Sequence, residues 1–156
     1  MGFVHHDLTS ISMHIFDTNE MAQQVDRITA KELVEILKNP EARNAVRIVD
    51  VRDGDFAGGH IRGAINVPEE HFHDDDDVDN FVDEMKTVPT IIFHCMMSQV
   101  RGPFCAHRFQ SRVNAVLEHA AIKPKVLVLT GGFQLFRQNY SHDDDLVEGL
   151  PKEGDY

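Results

Sequence analysis

The sequence predicts an α/β fold in which helices cover both faces of a mostly parallel β-sheet. Three apolar runs indicate buried strands, namely Val46–Val51, Thr90–Phe93 and Lys125–Thr130. Segments with helical periodicity separate these runs along the chain. Continuous apolar strands that alternate with helices are typical of parallel sheets buried on both faces. Ligands of such sheets bind at the carboxyl ends of the strands, so the loops that follow strands are the first candidates for a functional site.

The length and the composition fit one acidic domain. The chain has 156 residues, of which 42% are apolar, and its 15 Lys+Arg against 26 Asp+Glu give a net charge of −11. Such a chain can bury a sizeable core without a metal or a disulfide. A run of about 18 apolar residues is absent, so we expect no membrane partner. We expect no nucleic-acid partner either, because phosphate-backbone affinity requires clustered Lys and Arg.

The chain divides into three predicted regions. Residues 1–24 lack sustained periodicity and are predicted to form a flexible N-terminal arm. The folded domain is predicted over residues 25–141, and residues 142–156 are predicted to form a weakly ordered C-terminal tail. The histidines of the arm have no metal-ligand spacing, so we expect no metal site from them (His5, His6 and His14).

Two cysteines, Cys95 and Cys105, are too few for a disulfide framework. The N-terminus lacks the charged-then-apolar pattern of a signal peptide. We therefore expect both thiols to be reduced, in the cytoplasm, the nucleus or both. The sequence leaves the oligomeric state open.

Helix signals begin after Ile28. Thr29 and Glu32 form a capping box, and the helix that they open is predicted to end at Asn39-Pro40. Further helices are predicted over Asp79–Lys86, from Gly102 to about Ala121, and over Phe133–Tyr140. Phe109, Val113, Val116 and Leu117 are predicted to form the inward face of the long helix. An extended piece is expected over Ile61–Val67, and the acidic run 71–77 is expected to be a surface loop rather than a metal site.

The segment His94–Pro103 connects a predicted strand to the long helix. A helix N-terminus offers unpaired N–H groups and the positive end of a dipole, and anions bind there. Cys95 lies at the base of this cradle, where the same field favours a thiolate. Arg101 can donate two hydrogen bonds to one tetrahedral oxyanion. Gly102 permits a close approach of the backbone.

A cysteine, five intervening residues and an arginine form the signature spacing of cysteine-dependent phosphatases. Cys95 and Arg101 are therefore the candidate catalytic residues. The candidate oxyanion-binding loop consists of Met96, Met97, Ser98, Gln99, Val100, Arg101 and Gly102. The Ser98 hydroxyl is expected to donate to the thiolate or to a leaving sulfur. The alternative is a buried cysteine and a surface arginine at a chance spacing.

Three motifs together resemble one family. His94-Cys-x-x-Ser-x-x-Arg-Gly-Pro103 is similar to the loop of the M-phase-inducer dual-specificity phosphatases and of the single-domain eukaryotic arsenate reductases. Ile48-Val-Asp-Val-Arg52, with the following segment Gly58–Pro68, resembles the first strand and turn of the rhodanese-like fold that both groups share. Leu129-Thr-Gly-Gly-Phe133 resembles its last strand and turn. Over residues 28–140 the resemblance implies a three-layer, rhodanese-like catalytic domain with a central, mostly parallel five-stranded sheet.

The resemblance also implies roles beside the loop. Asp50 and Arg52 are expected to brace it from the neighbouring strand, with a surface ion pair as the alternative. His94 is expected to hold the loop in place rather than act as a base, because a thiolate needs none. Cys105 is either a core thiol or a resolving thiol that traps Cys95 after oxidation or arsenate reduction.

Four functions follow from these motifs. The first is a phosphatase that hydrolyses a phosphorylated protein or an aryl phosphate through a phosphocysteine. The second is an arsenate reductase that uses glutathione and glutaredoxin as reductant. The third is a rhodanese-type sulfurtransferase, which the length of the loop disfavours because rhodanese loops are usually one residue shorter. The fourth is a non-catalytic phosphoprotein-binding module. None of the four requires a bound cofactor.

Two features depart from the cell-cycle phosphatases. Their loops carry acidic residues, whereas Met96, Met97, Gln99 and Val100 occupy this loop, so Asp53, Asp55 or the substrate would have to supply a proton. Val51 occupies the position of their second, protective cysteine. Both differences weaken the case for a cell-cycle role.

Overall fold

The computed structural model describes residues 25–152 and centres them on a five-stranded parallel sheet. The predicted N-terminal arm and its three histidines lie outside the described residues. The strands are β1 (Asp26–Ile28), β2 (Val46–Asp50), β3 (His60–Ile61), β4 (Ile65–Asn66), β5 (Thr90–His94), β6 (Lys125–Leu129) and β7 (Val147–Glu148). The sheet order is β1-β6-β5-β2-β4, and all four pairings are parallel. The predicted α/β fold is confirmed.

Helices cover the two faces of this sheet. They are α1 (Ala30–Leu37), α2 (Pro40–Asn44), α3 (Asp75–Met85), α4 (Arg101–Val116) and α5 (Gly132–Tyr140). One apolar cluster, with Phe93 and Phe109, lies between the sheet and α3 and α4. A second, with Leu33 and Phe136, lies between the sheet and α1 and α5. Consecutive strand residues point to opposite faces, so both faces of the strands must be apolar. None of the described helices is long and apolar enough to cross a membrane.

The predicted capping box at the start of α1 is present. The Thr29 side chain accepts from the backbone N–H of Glu32, and the Glu32 carboxylate accepts from the backbone N–H of Thr29. Helix α1 ends at Leu37, just before Asn39-Pro40, as the sequence predicts. A second short helix, α2, begins there: Asn39 caps it, because its side chain accepts from two backbone N–H groups, and Pro40 fits the first helical position.

The acidic residues before Val78 are exposed, as expected, but Asp75–Asp77 form the first turn of a helix rather than a loop. Helix α3 begins at Asp75, four residues earlier than predicted. Carboxylates in the first turn of a helix are stabilised by the positive end of the helix dipole. Arg108 of α4 forms an ion pair with Asp75, and Arg112 forms one with Asp79 at 2.6 Å. These pairs connect α3 and α4 on the surface.

Helix α4 ends at Val116, before the predicted end near Ala121. Val116 is 44% exposed, so its predicted inward position is wrong. The other predicted inward residues are buried or partly buried in the first cluster, namely Phe109, Val113 and Leu117.

The described part of the predicted C-terminal tail folds back onto the domain. Strand β7 pairs antiparallel with β3, with Val147 opposite Ile61. Leu146 and Val147 are buried in the second cluster, and Leu150 packs against it. The weakly ordered tail is therefore a wrong prediction for residues 146–150. Apolar residues in this short segment complete the core, which outweighs the disordering effect of the neighbouring aspartates.

Candidate active site

The candidate loop lies where the parallel-sheet rule expects a ligand. It leaves the carboxyl end of the central strand β5 and enters α4 at Arg101. The capping position of α4, Val100, has no side-chain hydrogen bond to the first turn of the helix, and within that turn the N–H group of Gly102 donates to the Cys95 sulfur. The loop borders a depression of about 200 Å³, lined by Cys95, Met96, Met97, Gln99, Val100 and Arg101.

The Cys95 sulfur accepts two backbone hydrogen bonds. The N–H groups of Ser98 and Gly102 each donate to Sγ at 3.2 Å. Donors aimed at a sulfur stabilise the thiolate more than the neutral thiol. The Ser98 hydroxyl, expected to donate to the sulfur, instead accepts from the Cys95 backbone N–H at 3.4 Å. Ser98 therefore contacts the Cys95 sulfur through its backbone N–H group and not through its side chain.

Gly102 makes this geometry sterically accessible. A Cβ at this position would lie 3.2 Å from the backbone nitrogen of Cys95 and 3.3 Å from the carbonyl carbon of His94. The predicted close backbone approach at Gly102 is therefore present. Ser98 has a φ of 54°, a left-handed conformation that is uncommon for a residue other than glycine. The loop is thus a constrained structure whose curvature depends on both residues.

Donors outside the loop hold its carbonyl groups. The first-turn N–H groups of α5 bind two of them: Phe133 donates to the Cys95 oxygen at 3.0 Å and Gln134 to the Met96 oxygen at 2.8 Å. Gly132 brings α5 this close, since a Cβ there would lie 2.5 Å from the Met96 oxygen. The first turn of α5 therefore holds the loop in place through the carbonyl groups of Cys95 and Met96.

Arg27 of β1 binds a third carbonyl. Both of its terminal guanidinium nitrogens lie 3.4 Å from the backbone oxygen of Ser98. No local pattern in the sequence marks Arg27 as part of the site. The parallel pairing of β1 with β6 brings it beside the loop. The loop carbonyls are thus held by residues outside the loop, while the N–H groups of Ser98 and Gly102 donate to the Cys95 sulfur.

Arg101 faces a carboxylate across the loop mouth. One guanidinium nitrogen lies 3.4 Å from Oδ2 of Asp55, and the Arg101 side chain is 29% exposed. Burial opposes the charge of Arg101, but Asp55 outweighs it, so the pKa of the guanidinium lies above its ordinary value. Asp55, one of the expected proton donors, is thus the ion-pair partner of Arg101.

Asp50 and Arg52 form a fully buried ion pair, rather than the surface pair left open by the sequence. Arg52 donates to both Asp50 oxygens at 2.8–3.1 Å. It also donates to the backbone oxygens of Asp55 and Gly59, and its guanidinium lies 4.5 Å from the centre of the Phe133 ring. Arg52 therefore fixes the turn that carries Asp55, opposite Arg101.

His94 connects this pair to the loop. Its Nδ1 lies 2.9 Å from the Cys95 backbone oxygen, and its Nε2 lies 3.6 Å from Oδ2 of Asp50, beyond hydrogen-bond distance. A carbonyl only accepts, so Nδ1 carries the proton in this contact. Burial lowers the pKa of His94 below its ordinary value, against the opposing charge of Asp50. His94 is therefore a neutral donor to the loop backbone.

Cys105 lies in the first apolar cluster and is fully buried. Both cysteines are free thiols. Burial raises the pKa of the Cys105 thiol well above its ordinary value. A neutral, buried thiol is a poor partner in thiol exchange, so its surroundings favour the core-thiol interpretation over the resolving-thiol one.

Arginines do not gather at the loop mouth. Arg62 donates to the Asp144 backbone oxygen and Arg108 pairs with Asp75, so both are directed elsewhere. Arg101 supplies the only charged side chain that lines the described depression. No group of three or more His, Cys, Asp or Glu side chains among residues 25–152 is arranged to hold a metal.

The fold and the site define an α/β domain whose central parallel strand ends in a cysteine-bearing loop. The family model of the Rhodanese-like domain matches residues 29–139, and the chain belongs to this family. The resemblance predicted from its motifs is confirmed.

Two curated relatives are enzymes. The chain is 34% identical over 114 residues to the dual specificity phosphatase Cdc25 of Arabidopsis thaliana, a match that covers 72% of this chain and 73% of that protein. It is 31% identical over 114 residues to arsenate reductase 2.2 of Oryza sativa subsp. japonica, covering 72% and 82% of the two chains. By their names, one relative is a phosphatase and the other is an arsenate reductase.

A solved structure shares the fold. A yeast protein tyrosine phosphatase of the rhodanese family superposes with a TM-score of 0.70 at 24% identity, covering 85% of this chain and 97% of that one. The predicted rhodanese-like architecture with a five-stranded parallel sheet is thereby confirmed.

Proposed function

We propose that this protein is a cysteine-dependent phosphatase that acts through a phosphocysteine. One observation carries the proposal: the Cys95 sulfur accepts two backbone N–H groups at the N-terminus of α4 and opens onto a depression that Arg101 borders. A stabilised thiolate is a nucleophile, and the donors around it match the oxygens of a phosphoryl group.

The chemistry proceeds in two displacements. The Cys95 thiolate attacks phosphorus, the S–P bond forms and the bond to the leaving oxygen breaks. Backbone N–H groups of the loop and the Arg101 guanidinium stabilise the equatorial oxygens. Water then attacks phosphorus, the S–P bond breaks, and inorganic phosphate leaves with the regenerated thiolate. Because Asp55 is paired with Arg101, we propose that leaving groups of low basicity, such as aryl oxides, depart most readily.

Arsenate reduction is the second candidate, and one observation favours it. Among the described residues, no Asp or Glu side chain lines the catalytic depression. Arsenate reduction needs no proton donor for an organic leaving group. The Cys95 thiolate displaces an oxygen of arsenate as water, and glutathione thiolate then attacks the sulfur. The S–As bond breaks and its electron pair stays on arsenic, which is reduced from arsenic(V) to arsenic(III) and leaves as arsenite, while the two sulfurs are oxidised to a disulfide between Cys95 and glutathione. Glutaredoxin and a second glutathione then reduce this disulfide, which releases glutathione disulfide and restores the Cys95 thiol.

Three assays on the wild type and on Cys95→Ser test the proposal. They measure hydrolysis of para-nitrophenyl phosphate, arsenate reduction with glutathione and glutaredoxin, and thiosulfate sulfurtransfer to cyanide. We expect phosphatase turnover that the substitution abolishes. Arsenate reduction without phosphatase turnover would support the second candidate instead. Sulfur transfer alone, or phosphate binding without any turnover, would overturn both.

A further inference from the structure

We infer that a shallow depression beside the loop, here called the amide site, holds a neutral segment of the peptide that carries the phosphate. The amide site has a volume of about 250 Å³ and is lined by Met97, Gln99, Gly131, Gln134, Leu135 and Gln138. The inference rests on the proposed phosphatase function and names the class of its substrate.

The amide site adjoins the catalytic depression. Met97 and Gln99 line both of them, so a ligand that reaches Cys95 has the amide site directly beside it. Small-molecule sites usually begin at about 300 Å³, and each depression alone is smaller than that. A substrate that fills both would gain the contact area that a bare tetrahedral anion lacks.

The lining matches the chemistry of a peptide. Gln99, Gln134 and Gln138 supply primary amides, and no side-chain hydrogen bond connects any of them to another residue within 25–152. Each amide offers donors and an acceptor, which is what a peptide N–H and C=O require. Met97 and Leu135 are 48% and 38% exposed, and they offer apolar contact to a neighbouring side chain.

The charge of the lining selects against charged flanks. No Asp, Glu, Lys or Arg side chain lines the amide site in the described structure. A charged flank would therefore lose solvation there without gaining an opposite charge. A phosphopeptide with uncharged residues beside the phosphate is the occupant that these features fit.

Charge substitutions at Gln138 test the inference, because Gln138 is exposed and lies on α5 away from the loop backbone. Gln138→Glu and Gln138→Lys are compared with the matched controls Asn80→Asp and Asn80→Lys, at an exposed position of α3 outside the amide site. The substrates are phosphotyrosyl peptides that differ only in neutral, acidic or basic flanks, together with para-nitrophenyl phosphate. The readouts are kcat/KM and, in a Cys95→Ser background, the peptide Kd.

The wild type is expected to prefer the neutral flank. Gln138→Glu should shift the ratio between basic and acidic flanks by about fivefold, and Gln138→Lys should shift it by a similar factor the other way. The two Gln138 variants should hydrolyse para-nitrophenyl phosphate, which has no peptide flank, at the wild-type rate. The two Asn80 variants should keep the wild-type flank ratio. An unchanged flank ratio with intact para-nitrophenyl phosphate turnover overturns the amide site and leaves the proposed function standing.

Two further outcomes separate the inference from the proposed function. If the wild type lacks phosphatase turnover, the Kd values still decide whether flank charge is sensed at Gln138. If no peptide binds more tightly than inorganic phosphate, the amide site is overturned, and turnover of para-nitrophenyl phosphate alone decides the proposed function. If the Gln138 variants change only the KM for glutathione in arsenate reduction, the site binds the thiol tripeptide and the substrate inference is wrong.

Discussion

Asp55 and Arg101 meet across the mouth of the loop, with a guanidinium nitrogen 3.4 Å from a carboxylate oxygen. In the proposed reaction, the incoming oxyanion binds the same guanidinium. Asp55 would then compete with the substrate for Arg101 and repel the negative charge of the substrate.

Asp55→Asn should tighten anion binding. Removing the competing charge frees Arg101, and a partly exposed pair of this kind is worth up to about 1 kcal/mol, so the inhibition constant of inorganic phosphate should fall about threefold. Competitive inhibition of para-nitrophenyl phosphate hydrolysis measures it. Asp83→Asn, which removes a surface partner of Lys86 elsewhere, is the control. Weaker inhibition in Asp55→Asn would mean that Asp55 orients Arg101 rather than competes with its ligand.

Arg27→Met should impair activity more than stability. Arg27 binds the carbonyl of the left-handed Ser98, whose N–H donates to the Cys95 sulfur. Loss of this support should lower kcat/KM about tenfold, because a hydrogen bond from a charged group is worth about 1.5–3 kcal/mol when well formed. The melting temperature should stay near that of the control Arg47→Met, at an exposed position of β2. Equal losses of activity in both variants would remove the specific role of Arg27.

Glycine-to-alanine substitutions at three positions should show whether the loop depends on close packing at Gly102 and Gly132 or only on the flexibility of glycine. Gly102→Ala and Gly132→Ala place a Cβ 3.2 Å from the Cys95 nitrogen and 2.5 Å from the Met96 oxygen, and Gly132 also has a positive φ of 58°. Each should lower the free energy of unfolding by about 1–3 kcal/mol and abolish turnover. Gly54→Ala meets nothing within 4 Å and should change neither. Urea unfolding and kcat measure these effects, and an active, stable Gly102→Ala would contradict the packing argument.

His94 should make the stability of the protein fall in mild acid. Its pKa is lowered by burial, so the unfolded chain binds a proton near pH 6.5 while the folded chain does not. Stability contributed by the neutral ring is therefore present above about pH 6.5 and is lost as the pH falls, by up to about 1.4 kcal/mol per pH unit.

Comparison with His94→Asn isolates this effect, because asparagine keeps a donor for the Cys95 oxygen and does not titrate. Between pH 7.5 and about 5.5, the wild type should lose about 1 kcal/mol more unfolding free energy than the variant. Urea titrations at both pH values measure the difference. Parallel losses in the two proteins would show that His94 is not the titrating group.

Cys105→Ala should retain phosphatase activity and arsenate reduction within about twofold, because a buried thiol with a raised pKa supplies little thiolate. The variant should be less stable by about 1 kcal/mol, since it leaves a small void in the core. Initial rates and urea unfolding measure the two effects. A selective loss of arsenate reduction, with phosphatase turnover intact, would instead assign Cys105 the resolving role.

Local signals in the sequence predicted most of the fold. Apolar runs located β2, β5 and β6, and the capping box at Thr29 located α1. The predictions for the acidic run and for the C-terminal segment were wrong, because the structure of both segments depends on contacts with residues distant in the sequence. The acidic run became the start of α3 because Arg108 and Arg112 of another helix neutralise it. The C-terminal segment became ordered because β3 offers it a partner strand.

Spacing along the chain is enough to predict the family, the strand–loop–helix segment and the candidate pair Cys95 and Arg101. The surroundings of that pair depend on how the strands and helices pack. Arg27 reaches Ser98 across 71 positions and Asp55 reaches Arg101 across 46. Contacts of this range leave no periodicity or spacing in the sequence, because the packing of the parallel strands brings the residues together.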